Sequence, residues 1–184
     1  MTSLFFSPQG RIKGKEFWLG WVVLTLVGFA LSGIQNLAFE PQDQARLLLL
    51  PLQIAMIYPW VCVYGKRFHD AGKSAWMVLV VFGVQIVITI ALVIAFVIPQ
   101  VPLIQETFAG VQGGGQEAAR EFQESPEFQE YQALMRDRVA IPTMIGSLTL
   151  SLVVAYVVSI LKSDPDENRF GPPPGAAAAS QLAA

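Results

Sequence analysis

The chain has 184 residues, of which 53% are hydrophobic and only 14% are charged, and its mean hydropathy is +0.49. Soluble domains carry about 25% charged residues, so this composition disfavours a soluble globular protein and excludes a wholly disordered one. The formal net charge of −2 shows no basic excess, and we expect no nucleic-acid partner. One Cys and one His exclude an intrachain disulfide, a cysteine metal cluster and a paired-histidine motif, so we expect no metal or other cofactor.

Four apolar stretches predict an all-α membrane protein with four transmembrane helices. They run over residues 17–38, 47–64, 76–98 and 141–161, and none contains Asp, Glu, Lys or Arg. A spanning helix needs about 20 apolar residues to cross roughly 30 Å of hydrocarbon. The first stretch is longer than the apolar core of a signal peptide, so we expect it to be retained. Pro51 and Pro59 interrupt the second, for which a re-entrant hairpin is the alternative to a kinked span.

Lys and Arg residues are distributed unevenly between the two sides that four spans define. Eight lie before the first span, between the second and third, or after the fourth, whereas four lie on the other connections. Cytoplasmic segments carry the excess of Lys and Arg, so we predict that both termini are cytoplasmic. All four Trp lie near the predicted cytoplasmic helix ends, as expected for interfacial residues. The eight are Arg11, Lys13, Lys15, Lys66, Arg67, Lys73, Lys162 and Arg169.

The connection over residues 99–140 is predicted to be a long, acidic loop outside the cytoplasm. Ser125, Pro126 and Glu127 form a helix-start pattern of an N-cap, a Pro at the first position and an early acid. We expect a short amphipathic helix there, lying at the outer interface, with partner binding as the alternative. We expect residues 1–171 to form a single membrane domain and the Pro- and Ala-rich residues 172–184 to be a disordered tail.

Three short clusters, over residues 10–18, 66–76 and 166–172, hold the chemistry-bearing side chains on the predicted cytoplasmic side. We interpret them as segments that meet in a packed cap, with Asp70 capping the third span and His69 or Arg67 pairing with Glu16 or with the tail. Contact with anionic lipid headgroups is the alternative, because basic residues at the cytoplasmic leaflet attract such lipids. The candidate residues for either role are Arg11, Lys15, Glu16, Arg67, His69, Asp70, Gly72, Lys73, Ser74, Trp76, Asn168 and Arg169.

Two catalytic interpretations of the middle cluster fail on spacing. A nucleotide-binding phosphate loop needs a Gly five residues before Gly72, where Arg67 stands, and it follows a strand rather than a membrane helix. His69 and Asp70 are adjacent, and adjacent helical residues do not face each other. Ser74 is the only nucleophile close by in the sequence. We therefore expect the protein not to be an enzyme.

At these clusters the chain resembles a bacterial inner-membrane family known as domain of unknown function 805. The resemblance covers residues 5–174, and Phe68 and Ala75 depart from the Leu and Gly usual in the family, as does the long outer loop. It implies a small multi-span protein of the bacterial inner membrane and no settled activity. The matching motifs are Gly10-Arg11, Lys15-Glu16-Phe17-Trp18, Arg67-Phe68-His69-Asp70-Ala71-Gly72-Lys73-Ser74-Ala75-Trp76, and Asn168-Arg169-Phe170-Gly171-Pro172-Pro173-Pro174.

These observations predict a structural, scaffolding or lipid-contacting membrane protein. Its expected partners are membrane lipids, including anionic headgroups, and a second copy of the chain or another membrane protein. The alternative is a small transporter or channel component that acts as an oligomer, with Gln53, Gln85 and Ser151 lining a water-filled path. Ion-coupled transport generally needs an ionisable group within the membrane, and the spans contain no Asp, Glu, Lys or Arg. The structural role is therefore our first hypothesis.

Overall fold

The computed structural model describes residues 2–38, 44–109 and 115–175, and the regular structure of these residues is helical apart from one isolated bridge. Four helical runs are long and apolar enough to cross a membrane, which confirms the four predicted spanning helices. These runs are Gly14–Gln35, Leu47–Asp70, Met77–Ala109 and Pro126–Ser159. The α-helices are α1 (Thr2–Phe6), α2 (Gly14–Ala38), α3 (Leu50–Ala55), α4 (Ile57–Asp70), α5 (Met77–Val97), α6 (Val101–Ala109), α7 (Gly115–Glu124), α8 (Pro126–Met135) and α9 (Ile141–Ser159).

The second run tolerates its two prolines because each lies in the first turn of a helix. Pro51 lies at the start of α3 and Pro59 at the start of α4, where the first backbone N–H groups have no partner within the helix. Met56 joins the two helices with helical dihedral angles, φ −65° and ψ −16°. The helix then continues to Asp70, six positions beyond the predicted end of the span at residue 64. The middle motif is therefore partly helical rather than a loop.

The predicted outer loop is also largely helical. Helices α6, α7 and α8 occupy most of residues 101–135 among those that the structure describes. The third and fourth apolar runs therefore have 33 and 34 residues, or about 50 Å each at 1.5 Å per residue, against roughly 30 Å of hydrocarbon. The predicted helix start is confirmed, because the Phe128 N–H donates to Ser125 Oγ at 3.2 Å. The interfacial position of α8 stays a prediction.

The chain divides into two compact units, one of Met1–Val81 with Val154–Ala184 and one of Phe82–Val153. In the first unit, α2 packs on α4 through edge-to-face aromatic contacts, including Phe17 against Tyr64 at 5.1 Å between ring centroids. A Cβ atom on Gly20 would lie 3.0 Å from both Cγ atoms of Val63, so the absence of a side chain permits this close approach. Packing here positions the motif residues at the ends of α2 and α4.

In the second unit, α6, α7 and α8 contribute rings to one aromatic cluster. Phe108 lies 5.4 Å from both Phe122 and Tyr131 between ring centroids, in edge-to-face geometry. Phe122 contacts Phe128 at 5.3 Å in the same manner. A π-helical stretch, Arg136–Ala140, separates α8 from α9 and precedes Pro142. Pro142 has no backbone N–H to donate to the regular pattern of helical hydrogen bonds, and a proline inside a helix is a recognised cause of irregular geometry.

Candidate functional site

A single buried carboxylate lies at the centre of the first unit's polar residues. The Asp70 side chain is fully buried, and its Oδ1 accepts a hydrogen bond from Arg11 Nη2 at 3.2 Å. Its Oδ2 accepts from Arg67 Nη1 at 2.5 Å and from Ser163 Oγ at 2.5 Å. The Arg11 and Arg67 side chains are only 1% and 3% exposed. Two buried guanidinium groups therefore share the Asp70 carboxylate.

Arg11 uses its remaining donors to hold the segment that follows α9. Its Nη1 donates to the carbonyl oxygens of Asp166 at 2.7 Å and Gly171 at 3.2 Å, and its Nη2 donates to that of Asp164. The rigid fork of five N–H donors on Arg suits such multiple recognition. One side chain from the N-terminal arm thus joins α4 to the C-terminal segment.

Consecutive basic residues of α4 each cap a different helix. Arg67 Nη2 donates to the carbonyl oxygens of Ser159, at 2.9 Å, and Leu161, at the C-terminal end of α9. Lys66 Nζ donates to those of Ser3 and, at 3.2 Å, Leu4, at the C-terminal end of α1. Helix C-termini carry unpaired carbonyls and partial negative charge, so cations stabilise them. Both side chains therefore stabilise helix ends.

His69 and Asn168 connect α4 to the third motif. The His69 ring stacks on Phe170, with centroids 3.8 Å apart and planes 8° apart, and its Nδ1 lies 3.2 Å from Gly10 O. Asn168 Nδ2 donates to His69 O at 3.2 Å and to Asp164 Oδ2 at 3.0 Å. We call the side chains of Arg11, Arg67, His69, Asp70, Ser163, Asp164, Asn168 and Phe170 the motif cluster.

Gly72 ends α4 through its backbone conformation. Its φ is +69°, a left-handed value that favours glycine. The Lys73 N–H donates to Phe68 O at 2.8 Å, and the Gly72 N–H donates to His69 O at 3.0 Å. This pair of hydrogen bonds is the Schellman arrangement that commonly terminates a helix. The Gly72-Lys73-Ser74 sequence, which partly resembles a phosphate loop, therefore follows the end of a helix.

The structure brings five candidate residues together and leaves the others at the periphery. Asp70 does not cap the third span as we predicted, because Arg11, Arg67 and Ser163 occupy its carboxylate oxygens. Glu16 accepts the Lys13 N–H at 3.0 Å and so caps α2. The five in the cluster are Arg11, Arg67, His69, Asp70 and Asn168, whereas Lys15, Glu16, Gly72, Lys73, Trp76 and Arg169 are exposed and Ser74 is half-buried.

Sequence reasoning missed Lys66 as a helix cap, and it missed Ser163 and Asp164 altogether. Asp164 lies beside Asp70, because its backbone N–H donates to the Asp70 carbonyl oxygen at 2.7 Å. Hydrogen bonds from the Asn168 side chain and then from the Asp166 N–H lower the pKa of Asp164 below its ordinary value. The only sequence signal was the abrupt change from apolar to polar residues at the end of the fourth span.

Polar side chains within the spans make hydrogen bonds inside the protein. Gln53 Nε2 donates to Gln35 Oε1 at 2.8 Å. In the second unit, Gln85 Nε2 donates to Ser147 O at 3.4 Å. Such bonds between helices contribute about 0.6 kcal/mol each on average. These two glutamines therefore act in packing.

A family model described as "Protein of unknown function (DUF805)" matches residues 5–172. "Uncharacterized protein YiiR" of Escherichia coli K12 is 36% identical over 80 residues, which cover 41% of this chain and 50% of that protein. "Inner membrane protein YhaH" of the same organism is 29% identical over 72 residues, which cover 39% of this chain and 60% of that protein. The chain thus spans about half the length of the curated relatives it matches. No solved structure is similar to it.

Proposed function

The chain belongs to the DUF805 family, and from this premise we propose a structural, non-enzymatic role in which the motif cluster fastens both ends of the chain to α4. The predicted inner-membrane location is confirmed by the four apolar runs together with the relative that is named an inner membrane protein. The four Trp and the excess of basic residues favour a cytoplasmic position for the cluster.

The observation that carries this proposal is the fully buried Asp70 between Arg11 and Arg67. Removing charges from water costs several kcal/mol per ion, so such a triad is a poor means of adding stability. Its geometry, by contrast, is demanding, because both guanidinium groups are also held by carbonyls of the C-terminal segment. We propose that the triad selects one way of packing the N-terminal arm and the C-terminal segment against α4.

Exposed basic residues around the cluster are proposed to contact anionic lipid headgroups. Each contributes about 1 kcal/mol of attraction to an anionic leaflet. The buried Arg11 and Arg67, which the sequence also suggested for lipid contact, instead serve the internal network. The exposed residues are Lys13, Lys15, Lys73, Lys162 and Arg169.

The contacts of three side chains support a structural role over catalysis or transport. His69 stacks on Phe170 and faces a backbone carbonyl, and Ser74 Oγ accepts the Trp76 N–H at 3.4 Å, so neither side chain has the geometry of an activated nucleophile and its base. Gln53 donates within the bundle, which favours packing over the transporter alternative. A scaffold that organises lipids or another membrane protein is consistent with these contacts.

Hydrogen–deuterium exchange tests the fastening role. Asp70→Asn removes the charge but retains the size of the side chain, so we expect faster backbone exchange in residues 8–13 and 162–171. The matched control is Glu124→Gln, which removes a carboxylate from an exposed pair and should leave both segments protected. Unchanged exchange of both segments in Asp70→Asn would contradict the proposal.

Cysteine labelling tests the proposed cytoplasmic position. Lys15→Cys, Lys73→Cys and Arg169→Cys, each in a Cys62→Ala background, should react with an impermeant maleimide only in inside-out membrane vesicles. Gln123→Cys, on α7, should react only in right-side-out vesicles. A split of the first three positions between the two vesicle types would refute a common cytoplasmic face.

A further inference from the structure

A cavity of about 430 Å³ lies within the first unit, beside the motif cluster. This volume falls in the range of about 300–1,000 Å³ that is usual for small-molecule sites. Its walls come from α1, the N-terminal arm, the first turns of α2, α4 and the C-terminal segment. The lining includes Leu4, Ile12, Glu16, Leu19, Lys66 and Gly175.

The Lys66 ammonium group is the buried charge in the lining of this cavity that backbone carbonyls hold. Lys66 is only 4% exposed, and two of its three N–H donors go to the carbonyl oxygens of Ser3 and Leu4. Within residues 2–38, 44–109 and 115–175, no carboxylate lies within ion-pair distance of its Nζ. Carbonyl dipoles alone are a weak substitute for a counter-ion, because burial of an unpaired charge is costly.

Other basic side chains lie around the cavity. Arg11, which also lines it, shares the single Asp70 carboxylate with Arg67. Lys13 Nζ would lie 3.6 Å from a Cβ atom on Gly175, so this ammonium group is adjacent to the cavity wall. Glu16 is the acidic residue of the lining; it accepts the Lys13 backbone N–H at 3.0 Å, and its charge offsets part of that of Lys66.

We propose that this cavity binds a phosphate-bearing anion through Lys66, and that the anion is the headgroup of a membrane phospholipid with a net negative charge. Phosphatidylcholine carries a cationic choline beside its phosphodiester and does not supply this net charge. Phosphate oxygens would accept the remaining Lys66 N–H and supply a negative charge. Leu4 and Leu19 provide apolar lining, and Leu19 belongs to the first membrane-spanning run and is 47% exposed. The lipid source rests on the inner-membrane location given above, whereas a free phosphate ion would use the same polar contacts.

Thermal unfolding of the full chain in nanodiscs tests this site. Phosphatidylcholine nanodiscs with and without phosphatidylglycerol provide the lipid probe, and inorganic phosphate added to pure phosphatidylcholine nanodiscs provides the free anion. Phosphatidylglycerol should raise the melting temperature of the native chain. Lys66→Met should bind the lipid about tenfold more weakly and lose most of this rise. Lys73→Met, the same change at an exposed lysine outside the cavity, should keep it.

A second variant guards against misfolding of Lys66→Met, which also loses the cap of α1. Gln9→Trp fills the cavity from an exposed lining residue and leaves Lys66 and its carbonyl partners in place. Loss of the rise in Gln9→Trp, with retention in Lys73→Met, would support the lipid site. The same pattern with inorganic phosphate alone would assign the cavity to a free phosphate and refute the lipid source.

An equal rise in all the variants, or no rise in the native chain with either probe, would overturn the proposal. This result is distinguishable from failure of the fastening role. Asp70→Asn reports on the triad through exchange of the arm and tail, whereas Lys66→Met and Gln9→Trp report on the cavity through the lipid response.

Discussion

The two units of this protein use charged side chains in opposite ways. In the first, Arg11 and Arg67 pair with Asp70, and all three side chains are at most 3% exposed. In the second, the side chains of the Arg120–Glu124 pair are 82% and 70% exposed. An exposed pair contributes about 0–1 kcal/mol, whereas loss of one partner from a buried pair costs about 3–5 kcal/mol. The same kind of ion pair therefore has a large effect on stability where it is buried and a small one where it is exposed.

Both units contain aromatic contacts, but the buried ion pairs belong to the first unit among the residues that the structure describes. In the second unit, Phe108 touches rings from two other helices, and all three rings lie between residues 108 and 131. The ion pairs of the first unit instead join residues far apart in sequence, such as Arg11 and Asp70. The comparison predicts that single substitutions in the first unit free distant segments, whereas those in the second act locally.

The largest expected effect is that of Asp70→Ala. It leaves two buried guanidinium groups without a counter-ion, so we expect the free energy of unfolding to fall by about 3–5 kcal/mol. Reversible unfolding in mixed detergent micelles measures this loss. Glu124→Ala, the matched change in the exposed pair of the second unit, should cost below about 1 kcal/mol. Similar losses in the two variants would erase the distinction between the units.

Phe108→Ala should cost less and act locally. It removes a half-buried ring that makes two edge-to-face contacts, and we expect a loss of about 2 kcal/mol. Hydrogen exchange should accelerate in residues 101–135 and remain unchanged in residues 8–13 and 162–171. Faster exchange in the arm and tail would show that the two units are energetically coupled.

A pair of glycine substitutions distinguishes packing against a rigid side chain from packing against a flexible one. A Cβ atom at Gly20 would meet both Cγ atoms of the buried, β-branched Val63 at 3.0 Å, so Gly20→Ala should cost about 1–3 kcal/mol. At Gly146 of the second unit the atom at 3.0 Å is Cδ1 of Leu92, the end of a flexible side chain. Gly146→Ala should therefore be nearly neutral in the same unfolding assay. A larger loss for Gly146→Ala would reverse this assignment.

Much of the fold could be predicted because lipid imposes a simple requirement. Uninterrupted apolar stretches identify four spanning helices, and the Ser125 pattern locates the start of α8. The end of α4 could not be predicted in the same way. Lys66 and Asp70 look like the end of a span, but partners from remote segments bury these charges and the helix continues.

The residues of the site could be predicted more fully than the contacts between them. Arg11, His69 and Asn168 lie in recognisable motifs, and their juxtaposition was proposed because the three motifs lie on one predicted side of the membrane. Which donor meets which acceptor depends on where the chain turns after α9, because Ser163 and the carbonyls of the following residues supply the partners. A single sequence has no local pattern for contacts about 90 residues or more apart.

The smallest expected effect concerns acid. Hydrogen bonds from Asn168 and the Asp166 N–H hold the pKa of Asp164 below its ordinary value of 3.8. Because the folded-state pKa is the lower one, the stabilising contribution is complete above the unfolded pKa and is lost as the pH falls through the folded pKa. Asn168→Ala removes the larger cause, so the melting temperature should fall less steeply with acidification below about pH 4.

Gln132→Ala, which changes an exposed amide in α8, is the control and should retain the native slope. An unchanged slope in Asn168→Ala would mean that Asp164 does not link the motif cluster to pH, and its role would reduce to the backbone bond with Asp70.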